Sequence, residues 1–172
     1  MNSALRLLTL EEQEGAADTS MIHTETQNSS PEDAVSTVKI LVADDHEVMR
    51  LGIRNLLEAR TNWTVCAEAS NGKEAVEKTL ECRPDVVILD ITMPTMNGLD
   101  AARHISASDP QIPIILFSLH LSDDLMNTFE WATIRGAVSK GEAGRDLVDA
   151  VETVLEGGTF FRGQRSWPPR TS

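Results

Sequence analysis

Five residues of this chain carry side chains suited to phosphoryl or hard-metal chemistry, and each stands directly after a short apolar run. Lys39-Ile-Leu-Val-Ala leads into Asp44-Asp45, Val86-Val-Ile-Leu into Asp90, Ile112-Pro-Ile-Ile-Leu-Phe into Ser118, and Gly136-Ala-Val-Ser into Lys140. Apolar runs of this length, separated by helical patterns, read as buried parallel strands. Parallel sheets bind ligands beyond the carboxyl ends of their strands, at the topological switch point. All five groups therefore belong to one sheet edge. Three carboxylates within roughly 5 Å repel by about 3 kcal/mol per pair at an effective dielectric of 20. Such a cluster persists around a hard divalent cation, and Mg2+ keeps several waters and bridges to phosphate. Asp90 is the candidate nucleophile, giving an acyl phosphate. Lys140 would neutralise it before transfer and hold a phosphoryl oxygen afterwards. Ser118 would donate to another phosphoryl oxygen only once phosphate is present, which makes it the candidate switch.

The elements that must position these groups are readable from periodicity. A strand over 39–44 precedes a helix carrying Val48, Met49, Ile53, Leu56 and Leu57 at helical spacing. A strand from Trp63 to Ala69 and a Ser70-Asn-Gly turn lead into a helix over 73–82. A strand over 85–90 is followed by breaks at Pro94 and Gly98 and a helix over 98–107. A strand over 112–118, a helix over 122–132, a strand over 136–139 and a helix over 143–156 complete the pattern, stopped by Gly157-Gly158. Five such units predict a doubly wound α/β domain over 39–160. Residues 1–38 read as a disordered N-terminal extension, because their polar composition buries too little surface to offset ordering entropy. Residues 161–172 read as a short basic tail.

Composition narrows the function classes. The net charge of −12 over 172 residues divides into −6 for residues 1–38, −9 for 39–160 and +3 for 161–172. An acidic body of this kind argues against direct nucleic-acid binding, which needs clustered Lys and Arg. Cys66 and Cys82 make neither a disulfide framework nor a metal site by count, and read as small buried side chains. No apolar run approaches a membrane span, and Glu11-Glu12 cut short the apolar start. These features predict a soluble, cytoplasmic protein.

Four motifs in order resemble the receiver domain of two-component response regulators, in particular the NarL/FixJ-like subfamily. They are Ala43-Asp-Asp-His-Glu-Val-Met-Arg-Leu-Gly-Ile-Arg-Asn-Leu-Leu, Leu89-Asp-Ile-Thr-Met-Pro-Thr-Met-Asn-Gly-Leu-Asp, Phe117-Ser-Leu-His and Val138-Ser-Lys. The resemblance implies a flavodoxin-like, five-stranded parallel sheet of order 2-1-3-4-5, and phosphorylation of Asp90 by a histidine kinase or phosphotransfer protein. It implies Mg2+ held directly by Asp45 and Asp90, through water by Asp44, and by the carbonyl of Thr92. Thr92 and His120 fall where receivers flank the hydrolytic water and tune phosphate lifetime. The implied output face, used for a homodimer or a downstream protein, comprises the helix 122–132, the strand 136–139 and the helix 143–156.

Two departures set this chain apart. Receivers of this kind usually carry Tyr or Phe three residues before the lysine, where this chain has Ala137. Ala132-Thr133-Ile134 also replaces a commoner Ala-Gly-Ala. The expectation is that phosphorylation persists while its conformational readout is weakened or rerouted, with Met126, Phe129 and Trp131 in or near that region. Relatives in this group usually continue into a helix-turn-helix domain, for which the residues after Phe160 leave no room. The competing readings are a phosphorylation-independent receiver-fold adaptor and a truncated DNA-binding regulator. An aspartate-based phosphohydrolase would want a second aspartate at Thr92. The chain reads as a phospho-acceptor with slow self-dephosphorylation, not as an enzyme.

Overall fold

The computed structural model describes residues 36–121 and 133–161. Strands β1 (Val38–Ala43), β2 (Trp63–Ala69), β3 (Val86–Asp90), β4 (Ile114–Ser118), β5 (Ile134–Ser139) and β6 (Phe160–Phe161) form one sheet. With them run helices α1 (Glu47–Glu58), α2 (Gly72–Cys82), α3 (Gly98–Ser108) and α4 (Ala143–Leu155). Every pairing is parallel, in the order β2-β1-β3-β4-β5-β6. The α/β class and the order of the first five strands are those expected. The sixth strand is an addition: Phe160 and Phe161 pair with Gly136 and Ala137. Gly157 makes it reachable, because its φ of 84° lets the chain leave α4 where a side chain would be strained.

The central strands read as continuous apolar runs because helices cover both faces. Every residue of β3 and β4 is buried. Successive side chains alternate between two cores. Leu41, Val87, Leu89, Ile114 and Leu116 pack with Ala101, Ala102 and Ile105 of α3. Ile40, Ile88, Ile115 and Phe117 pack with Ile53 and Leu57 of α1 and Leu147 and Val151 of α4.

Two strand boundaries differ from expectation. β4 begins at Ile114 instead of Ile112, since Pro113 has no N–H for the ladder and contributes only its carbonyl, to Val87. β5 begins earlier, at Ile134, which is buried in the core. Thr133 just before it hydrogen-bonds through its hydroxyl to Ser106 of α3, which gives the Thr133-Ile134 departure a packing role. The expected helix over 122–132, with Met126, Phe129 and Trp131, lies outside the described residues. So do residues 1–35 and 162–172.

Candidate functional site

The sheet order reverses at β1, which has β2 on one side and β3 on the other. The crevice beyond the ends of β1 and β3 is therefore the switch point. Asp44 follows β1 directly, and Asp90 is the last residue of β3. Lys140 opens a single 3-10 turn after β5 and reaches back across the end of β4. Its Nζ lies 2.7 Å from Oδ2 of Asp90 and 2.7 Å from Oδ2 of Asp44. The ammonium donates a hydrogen bond to Asp90. The same ammonium pairs with Asp44, so that buried oxygen is engaged by Lys140 as closely as Asp90 is. The three side chains are 7%, 3% and 0% exposed for Lys140, Asp90 and Asp44. The ring of buried Phe117 lies 5.7 Å from the ammonium and helps keep it dry.

Asp90 is held at both oxygens. Oδ2 accepts from Lys140, and Oδ1 accepts from the Thr92 N–H at 3.1 Å. Gly98 brings the start of α3 against the end of β3, where a β-carbon would run into the Asp90 carbonyl oxygen. Ser118, the last residue of β4, is buried and sits beside Ser139 of β5. Its Oγ accepts from the His120 N–H at 3.3 Å, so the hydroxyl is folded into a turn of its own loop. Asp45, Asp90, Thr92, Ser118, His120 and Lys140 together line an open depression of about 350 Å³. Asp44 is fully buried against Lys140.

Residues 40–152 match the response regulator receiver domain family. The chain belongs to that family. It is 31% identical over 125 residues to the response regulator protein VraR of Staphylococcus aureus, covering 73% of this chain and 60% of VraR. It thus spans about 60% of the length of the curated relatives it matches. Among solved structures it resembles a LuxR-family two-component response regulator from Aurantimonas, at 36% identity and TM-score 0.68, covering 73% of this chain and 89% of that one. It also resembles the receiver domain of the response regulator NarL from Mycobacterium tuberculosis, at 27% identity and TM-score 0.66, covering 71% and 98%. Receiver domains interact with histidine kinases or phosphotransfer proteins, some dimerise, and they typically bind Mg2+.

Burial and charge pairing act against each other in this receiver's crevice. Burial pushes the Asp90 carboxyl above its ordinary value, opposed by Lys140 and the Thr92 N–H and reinforced by the Asp44 charge. Burial also works against the Lys140 ammonium, but the carboxylates of Asp44 and Asp90 outweigh it and raise its pKa. Lys140 is a fixed cation between two carboxylates.

The donor set fits a hard cation. The half-exposed Asp45 supplies an oxygen on the same depression as Asp90, and Asp44 is the buried carboxylate next to it, paired with Lys140. Ligand atoms of Asp44, Asp45 and His46 lie within 4.8 Å of one another. His46 was not singled out from sequence: its Nδ1 sits 2.7 Å from Asp45 Oδ1, and its N–H donates to Asp44 Oδ1 at 2.9 Å. Arg50 was also missed. From α1 it donates to the Asp44 carbonyl at 2.7 Å and to Glu68 of β2 at 3.2 Å, fixing the backbone of the acidic pair. Asp-Asp-His with an arginine one helical turn further on was the available signal. Ala137 is buried between Leu116 and Phe161, and Phe161 packs on the same core cluster. Among the described residues no helix is long and apolar enough to cross a membrane.

Proposed function

We propose that this receiver accepts a phosphoryl group on Asp90 from a histidine kinase or phosphotransfer protein, in the cytoplasm. The Lys140–Asp90 pair at the base of an open depression carries this reading. A carboxylate oxygen of Asp90 attacks phosphorus, and the bond to the donor imidazole breaks with its electron pair returning to nitrogen. Asp45 and Asp90, Asp44 through water and the Thr92 carbonyl would hold Mg2+, which would supply positive charge for the phosphoryl oxygens. Lys140 moves its hydrogen bond from the carboxylate to a phosphoryl oxygen. Ser118 gives up the His120 N–H and donates to another. That exchange exists only with phosphate present, which is what a two-state switch requires. Thr92 and His120, on the rim, set the rate of hydrolysis, so the site times a signal and does not turn over an external substrate.

Ala137 favours a second reading for output, a receiver-fold adaptor that works through its interfaces whether or not it is phosphorylated. The output itself, through a homodimer, a downstream protein or a DNA-binding domain, belongs to the whole protein. The test is incubation with Mg2+ and acetyl phosphate, read by intact mass. A single phosphoryl increment, absent in Asp90→Ala, is expected; no increment in the wild type overturns the proposal.

A further inference from the structure

The sulfur atoms of Cys66 and Cys82 lie 2.7 Å apart, and both residues are free thiols with partial exposure. A disulfide bond is about 2.04 Å long, so a few tenths of an ångström from each side chain would close it. The fold brings them together through two local irregularities. On β2 the register with β1 moves from Ile40 opposite Val65 to Leu41 opposite Ala67, leaving Cys66 as the inserted residue of a bulge. A bulge re-aims side chains. Val65 packs in the core beneath α1 and α4, whereas Ala67 packs in the core beneath α2 and α3. Cys82 packs on that second core from the last residue of α2, just before Arg83 turns the chain in the left-handed region with φ 46°. Cysteines that read as two separate small apolar side chains in sequence are thus one dithiol.

We propose that Cys66 and Cys82 form a reversible intramolecular disulfide that staples edge strand β2 to the end of α2, made by exchange with a low-molecular-weight disulfide. Burial and the neighbouring Cys82 push the Cys66 thiol up to about 12. One of the two cysteines loses its proton to solvent and attacks one sulfur of the small disulfide as the thiolate, forming a mixed disulfide and releasing one small thiolate. The other loses its proton to solvent, attacks the protein-bound sulfur and displaces the second small thiolate. Two protein thiols are oxidised and one small disulfide is reduced to two thiols. In a reducing compartment the pair rests as thiols and closes under oxidative challenge. The staple ties down the strand whose last residue, Ala69, accepts the Asp44 N–H at 3.0 Å.

The test incubates the reduced full-length chain with oxidised glutathione, blocks remaining thiols with N-ethylmaleimide and reads intact mass. The expected product is a monomer two hydrogens lighter, free of glutathione and maleimide, reversed by dithiothreitol. Its thermal midpoint should rise by about 5 °C, because the cross-link restricts the unfolded chain. In Cys82→Ser, Cys66 should carry a maleimide or a glutathione instead. Wild-type protein that keeps glutathione on either cysteine, takes two maleimides or forms disulfide-linked dimers would overturn the proposal. A cross-link without a higher midpoint would overturn the staple.

Discussion

Lys140 Nζ and Asp90 Oδ2 meet at 2.7 Å across fifty residues of sequence, and the same nitrogen stands equally close to Asp44. One buried cation therefore serves two buried carboxylates. Removing it leaves both without their counter-charge, and breaking a buried pair from one side costs about 3–5 kcal/mol. Lys140→Met should lower unfolding free energy by about 3 kcal/mol in urea titrations. Adding Asp44→Asn to that variant should recover part of the loss. Unchanged stability in Lys140→Met would show that the carboxylates are not held by this contact.

Asp90 gives the crevice a pH signature. Its folded pKa is raised, first by burial, so the folded state holds this proton more tightly than the unfolded chain. Ionised Asp90 therefore weakens the fold at a pH above its folded pKa, and the penalty fades as the pH falls to the unfolded value. Asp90→Asn should be the more stable protein at neutral pH without Mg2+, and the gap should close in acid. Denaturation midpoints of the two proteins from pH 7 to pH 3 check the sign.

His46 competes for the acidic pair. Its Nδ1 engages Asp45 Oδ1 at 2.7 Å on a largely exposed side chain, a pair of the kind worth about 0.2–1 kcal/mol. Freeing Asp45 should raise Mg2+ affinity in His46→Ala by about 1.5- to 5-fold. Titration of the change in tryptophan fluorescence or thermal midpoint with Mg2+ measures it, and weaker binding in the variant would contradict this assignment.

Gly98 couples α3 to the acceptor strand. A β-carbon there would collide with the Asp90 carbonyl oxygen, and backbone cannot yield as a flexible side chain does. Gly98→Ala should cost about 1–3 kcal/mol in stability. It should also slow phosphorylation by acetyl phosphate, because the end of β3 must shift. A variant with wild-type stability and rate would separate the glycine from the site.

The strand ends were legible because buried parallel strands are uninterrupted apolar runs, and the polar residue that ends each run marks the open edge. Asp44, Asp90, Ser118 and Lys140 could be placed beside one another on that ground alone. What stayed hidden depends on local departures from period. β6 is two residues long and has no pattern to detect. The Cys66 bulge inserts a residue without changing the apolar character of β2. The His46–Asp45 contact depends on how the chain enters α1, which adjacency in sequence does not specify.

The most direct test of phosphoryl acceptance is to find the bond itself. Protein treated with Mg2+ and acetyl phosphate is reduced with borohydride, which converts an aspartyl phosphate to homoserine, and the peptides are mapped by mass spectrometry. Homoserine at position 90, dependent on Mg2+ and abolished by Lys140→Met, is the predicted result. Intact aspartate at position 90, or homoserine at 44 or 45 instead, would contradict it.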